Sequence, residues 1–154
     1  MKNRVALITG GSKGIGFASA ISLAKEGCNI GLLSRNKDSL EIAVNHLREK
    51  FKIKCIGIIG DVSNKDMPQI AIDKVEARRF TYWFDDTFHK NVTSKLLYQR
   101  VNNKLSKTGQ PDSVLIKSGI SAFKFYMDYL DKVLEERRWL AGDHMTIADF
   151  AGAA

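Results

Sequence analysis

The turn TGGSKGIG at residues 9–16 constrains this chain more than any other stretch. It lies between the apolar run 5–8 and a helical pattern over residues 14–26. Glycines at positions 10, 14 and 16 let the chain turn sharply, bring a ligand close to the backbone and let the helix pack on the strand. A helix opening directly after such a loop aims free N–H groups and its positive dipole end at an anion, so a phosphate or pyrophosphate is the natural occupant. The glycines alone would also suit a plain tight turn. Their context argues for the ligand: a strand before, a helix after, and a second strand ending in Ser34-Arg35 at the expected distance.

The pattern continues with the apolar runs NIGLLS (29–34) and IKCIGII (53–59), separated by a helical pattern over residues 37–50. Short continuous apolar runs fit strands buried on both faces, and their alternation with helices predicts an α/β fold, a βαβαβ unit with three parallel strands. A carboxylate at the end of the second strand would bind a ribose hydroxyl, but Ser34, Arg35 and Asn36 stand there. Arg35 can fork onto a 2′-phosphate, and Lys13 in the loop adds a second positive charge to the same pocket. A solvated surface arginine is the alternative reading of Arg35. Asp61-Val62, past the third run, suits an adenine amine and the face of its ring, or else a simple turn after a strand.

On these residues the segment 1–64 resembles the opening of a short-chain dehydrogenase/reductase. That family's TGxxxGxG falls on Thr9, Gly10, Gly14 and Gly16, and its Asp-hydrophobic pair on Asp61-Val62. The resemblance implies a partial Rossmann unit binding NADP(H) through Gly10, Ser12, Lys13, Gly14, Ile15, Gly16, Ser34, Arg35, Asn36, Asp61 and Val62. The family's Asn-Ala-Gly element, its serine and its Tyr-x-x-x-Lys pair have no counterpart. Four residues beyond Tyr82, Tyr98, Tyr126 and Tyr129 stand Asp86, Asn102, Leu130 and Val133, so no lysine is placed to lower a phenol pKa. No catalytic residue is assigned, and any NADP(H) binding is expected to be weak.

Composition changes near Asn64. Phe17 and Phe51 are the only aromatics up to that point, against 14 in the whole chain, while eight of the 12 glycines precede it. Beyond Met67-Pro68 the spacing predicts helices throughout, with Phe123, Met127, Leu130 and Leu134 on one stripe of a long helix capped by Asp112. In RRWLAGDHMTIADF, Thr146 and Asp149 form a capping pair, and Met145 with Phe150 a hydrophobic staple. From residue 71 onward the chain is similar to the helical C-terminal domain of bacterial glutathione S-transferase superfamily proteins, especially a branch with a cell-division-associated member. This implies a helical face that meets a protein partner. Glutathione is not expected, because in that superfamily its activating Ser, Tyr or Cys sits in a thioredoxin-like domain with no counterpart here. The helix opened at Thr146 reads as cut short. Two incomplete signatures, 1–64 and 71–154, meeting at residues 65–70, point to a chimera, either a junction of two truncated genes or an assembly error. The function expected is an NADP(H)-binding fragment without catalytic activity, or alternatively a glutathione S-transferase-like interaction module.

A net charge of +7 favours anions mildly, but the basic residues are scattered among acids, so no nucleic-acid partner is expected. No apolar run approaches the roughly 18 residues of a membrane span, and the run at 5–8 is too short for a signal peptide, so a cytoplasmic protein is expected. Cys28 and Cys55 read as small core residues, and His46, His89 and His144 lack partners at metal-ligand spacing. Right-handed crossovers place both helices of the first segment on one face of its sheet. The other face then has no cover from within residues 1–64, and if the later helices keep to their own bundle, self-association is expected.

Overall fold

A computed structural model describes residues 4–102, 105 and 110–153. Strands β1 (Val5–Thr9), β2 (Asn29–Ser34) and β3 (Cys55–Ile59) form one parallel sheet in the order β1-β2-β3, with Val5 beside Asn29 and Ile30 beside Cys55. Helices α1 (Gly14–Lys25) and α2 (Lys37–Phe51) provide the two crossovers. The α/β unit expected from the sequence is present, with its elements within a residue or two of their expected bounds.

Strand periodicity decides which residue meets which layer. Ile30, Leu32 and Cys55 bury one sheet face against Ala20 and Ala24 of α1 and Leu40, Ala43, Val44 and Leu47 of α2. Both helices therefore cover the same face. The opposite face buries Leu33 and Ile58 against Ala71 and Val75 of α3 (Met67–Tyr82). This corrects the expectation of a bare second face. Ala71 and Val75 are slim enough for α3 to lie close, and Gly31 makes room, since a Cβ there would stand 2.6 Å from Val75 Cγ2.

The chain divides into two compact units, Met1–Val75 and Glu76–Ala154. In the second unit a wide-turned π segment, Trp83–Thr93, follows α3, then α4 (Ser94–Leu97), a second π segment (Tyr98–Asn102), α5 (Ser113–Glu136) and α6 (Ile147–Ala153). Its core gathers Ala77, Phe80, Phe84, Leu140, Ala141 and Ala148. Trp83 packs edge-on to Phe84 and Tyr126 at ring separations of 4.9 and 5.0 Å. Asp112 caps α5 as expected, accepting the N–H groups of Val114 and Leu115. The predicted stripe is only partly buried: Leu130 packs on the core, whereas Phe123 and Leu134 stay exposed. Thr146 and Asp149 do form the capping pair, but Met145 and Phe150 are both exposed, so their staple contributes no buried contact.

Candidate functional site

The site is built at the C-terminal ends of the strands, where open α/β sheets hold ligands. Gly10 and Gly14 take φ of +64° and +58°, a left-handed backbone that disfavours side chains, and a Cβ on either would point into open space. Gly16 is needed for a different reason: a Cβ there would lie 2.6 Å from the Gly10 carbonyl oxygen. The helix thus sits directly on its own loop. Gly11, which the sequence reading passed over, is similarly confined, since a Cβ would lie 2.6 Å from Leu32 Cδ2.

Lys13 opens α1 in an extended conformation and gives it no side-chain cap. The first helical bond of α1 is Phe17 N–H to Lys13 O, at 3.3 Å, so the amides of Gly14, Ile15 and Gly16 precede the ladder. No acidic side chain occupies that first turn. These amides have no acceptor within the helix, an arrangement suited to an anion.

Hydrogen bonds tie the loop to the end of β2, and the end of β2 to the residue after β3. Gly10 N–H donates to Leu33 O at 2.8 Å, Ser12 and Ser34 share a hydroxyl hydrogen bond of 2.8 Å, and Gly60 N–H donates to Ser34 O at 3.1 Å. Arg35 reaches Asp61 across the rim, 3.6 Å between nitrogen and oxygen, with side chains 80% and 44% exposed. Asp61 also accepts the Ser63 N–H at 2.9 Å. That amide, then the Ser63 side chain and more weakly the Arg35 charge hold its carboxyl below the usual carboxylate range. Ser63 is a residue the sequence reading missed, although an aspartate followed two places on by serine signals such a turn.

Of the expected contacts, the structure brings Gly10, Ser12, Lys13, Gly14, Ile15, Gly16, Ser34, Arg35, Asn36, Asp61 and Val62 to this one edge of the first unit. Asn36 has a structural task as well: its Oδ1 accepts the Ser39 N–H at 2.8 Å and caps α2. Ile15 is 87% exposed, and Val62 and Ile59 are exposed too, so apolar surface adjoins the glycine loop. Among the described residues no group of three or more His, Cys, Asp or Glu could hold a metal ion, and no helix is long and apolar enough to cross a membrane. Cys28 and Cys55 are buried, as expected, and burial pushes the Cys55 thiol up to about 11.

Comparison with known proteins agrees with this geometry. The sequence pattern of the short chain dehydrogenase family matches residues 4–94, more than half of the chain and further along it than residue 64. FtsZ-localized protein A of Caulobacter vibrioides is 38% identical over 82 residues, which are 53% of this chain and 36% of that protein. The uncharacterized oxidoreductase YhdF of Bacillus subtilis is 38% identical over 74 residues, 48% of this chain and 26% of its own length. Among solved structures, FzlA from C. crescentus superimposes with a TM-score of 0.52 at 29% identity, over 73% of this chain and 46% of that one. The chain spans about a third of the length of these curated relatives, or less. On the match across residues 4–94 and the glycine loop it contains, the chain belongs to the short chain dehydrogenase family.

Proposed function

We propose that the first unit binds a nicotinamide dinucleotide, NADP(H) in preference to NAD(H), without itself carrying out hydride transfer. The observation that supports this reading is the uncapped first turn of α1, where the amides of Gly14, Ile15 and Gly16 precede the first helical bond beside the left-handed glycines 10 and 14. A pyrophosphate fits these donors in charge and reach. When bound, the cofactor would supply the hydride chemistry; the chain's own residues bind and orient it. Lys13 and Arg35 would meet a 2′-phosphate, Arg35 exchanging its contact with Asp61 for the stronger charge. Val62 would pack on the adenine. Binding is proposed to be weak, because three strands build only one side of a cleft.

Charge-assisted hydrogen bonds contribute about 1.5–3 kcal/mol, which corresponds to a preference for NADPH over NADH of roughly ten- to a hundredfold. Titration calorimetry with both dinucleotides tests this. The expected result is a preference that Arg35→Ala removes while leaving NADH binding unchanged. Equal affinity for both in the unsubstituted protein would overturn the assignment.

A second reading concerns residues 71–154. Their RRWLAGDHMTIADF segment and the likeness to FtsZ-localized protein A favour a glutathione S-transferase-like helical domain that meets a protein partner. On this reading the chain joins pieces of two families. Trp83 is partly buried among Phe84, Phe88 and Tyr126, so the exposed Phe125, 68% open to solvent, is the better probe of such a face. Partner binding should survive Arg35→Ala and fall with Phe125→Ser. Reading independent genomic DNA across residue 64 tests the join itself.

A further inference from the structure

The strand register brings two opposite charges together at the rim of the first unit. Ser34 lies beside Ile59 in the ladder, and Gly60 N–H donates to Ser34 O at 3.1 Å. The next residue on each side is charged, Arg35 after Ser34 and Asp61 after Gly60. Their side chains meet at 3.6 Å between Arg35 Nη1 and Asp61 Oδ2.

The two carboxylate oxygens of Asp61 have separate tasks. Oδ1 accepts the Ser63 N–H at 2.9 Å and fixes the group in its turn, which leaves Oδ2 for the guanidinium. Mainly through that Ser63 amide the carboxyl is held below the usual carboxylate range, so it is charged at neutral pH. Lys13 has no ion pair among the described residues, and Lys37 turns along its own helix to Glu41 at 3.9 Å. Of the two cations that would meet a 2′-phosphate, Lys13 is free and Arg35 is already engaged.

We propose that Asp61 is a specificity-determining residue that works against NADP(H): its carboxylate competes with the 2′-phosphate for Arg35 and lowers the preference for the phosphorylated dinucleotide. This deepens the nucleotide-binding reading above and rests on it. One carboxylate imposes two costs. The phosphate must displace Oδ2 from the guanidinium, and it then stands beside a second anion. An exposed ion pair is worth little and water weakens the repulsion, so the combined penalty is about three- to tenfold in affinity. Neither cost falls on NAD(H), which offers no phosphate there. The adenine contact expected of Asp61 serves both dinucleotides, so it cancels from the ratio of their affinities.

Asp61→Asn separates charge from geometry, because the amide keeps an oxygen for the Ser63 N–H. Titration calorimetry of the full chain with NADPH and NADH, in the unsubstituted protein, Asp61→Asn, Arg35→Ala and the double variant, tests the proposal. The NADPH-to-NADH affinity ratio should rise about three- to tenfold with Asp61→Asn, rise less once Arg35 is replaced, and respond less at high salt. A ratio that Asp61→Asn leaves unchanged or lowers would overturn the proposal and leave the nucleotide-binding reading standing. So would an equal rise in the Arg35→Ala background, since Asp61 would then act by repulsion alone. Equal affinities in the unsubstituted chain together with an NADPH preference in Asp61→Asn would support the competition and remove the preference proposed above. Binding of neither dinucleotide by any of these proteins would overturn both. A second readout holds even if Asp61→Asn fails to fold: in the unsubstituted protein the Arg35 Nε–H resonance should move when NADPH is added and stay in place with NADH. The same shift with both dinucleotides, or with neither, counts against the exchange of partners.

Discussion

Cys55 shows how a single position converts burial into a measurable property. At 1% exposure its thiolate is disfavoured, and the pKa rises from 9.0 to about 11. The unfolded chain therefore loses this proton at lower pH than the folded one, and the folded state becomes relatively less stable as pH passes through that window. Between pH 9.0 and about 11 the stability from denaturant melts should fall by about 1.4 kcal/mol per pH unit from this group. Cys55→Ala should flatten that slope, and an unchanged slope would disprove the assignment. The glycines of the loop could be read directly from the sequence because their spacing is tied to backbone geometry. Gly11 and Ser63 could not be read as easily, because one answers to the Leu32 side chain and the other to a hydrogen bond made only once the turn forms.

At the scale of elements, α3 is the piece whose role the sequence obscured. Its aromatic half points to the helical core through Phe80, while Ala71 and Val75 serve the sheet. If that packing is right, Gly31→Ala should cost about 1–3 kcal/mol, since the new methyl meets Val75 Cγ2. Combined with Val75→Ala the loss should be smaller than the sum of the two single losses. Strict additivity in thermal melts would place α3 elsewhere. The cap of α6 is a second test. Asp149 accepts N–H groups from Thr146 at 2.8 Å and Leu140 at 2.9 Å, so it joins the helix start to the preceding turn. Asp149→Ala should destabilise by about 1–3 kcal/mol, and Asp149→Asn, which keeps one acceptor oxygen, by less.

At the scale of the whole molecule, the proposed dinucleotide binding is not accompanied by the Tyr-x-x-x-Lys spacing that would move a proton. None of the four tyrosines has a lysine four residues on. The chain is therefore expected to show neither NADPH-dependent carbonyl reduction nor glutathione conjugation. Spectrophotometric assays at 340 nm with NADPH, and at the conjugate's absorbance with glutathione, check both. A rate above buffer that is lost on substitution within this chain would overturn the expectation for that reaction.

The three strands, their two crossovers and the anion loop were legible in the sequence because each rests on local rules: apolar periodicity, glycine conformation and the free amides of a helix start. The caps at Asp112 and Thr146 were legible for the same reason. Tertiary structure alone decided which helix covers the second sheet face, that Trp83 packs edge-on to Phe84, and that Arg35 rests against Asp61. These depend on residues distant in sequence competing for the same surface. Aromatic bulk in α3 suggested a helix belonging wholly to its own bundle, yet close approach to Gly31 required the small side chains next to it in the chain.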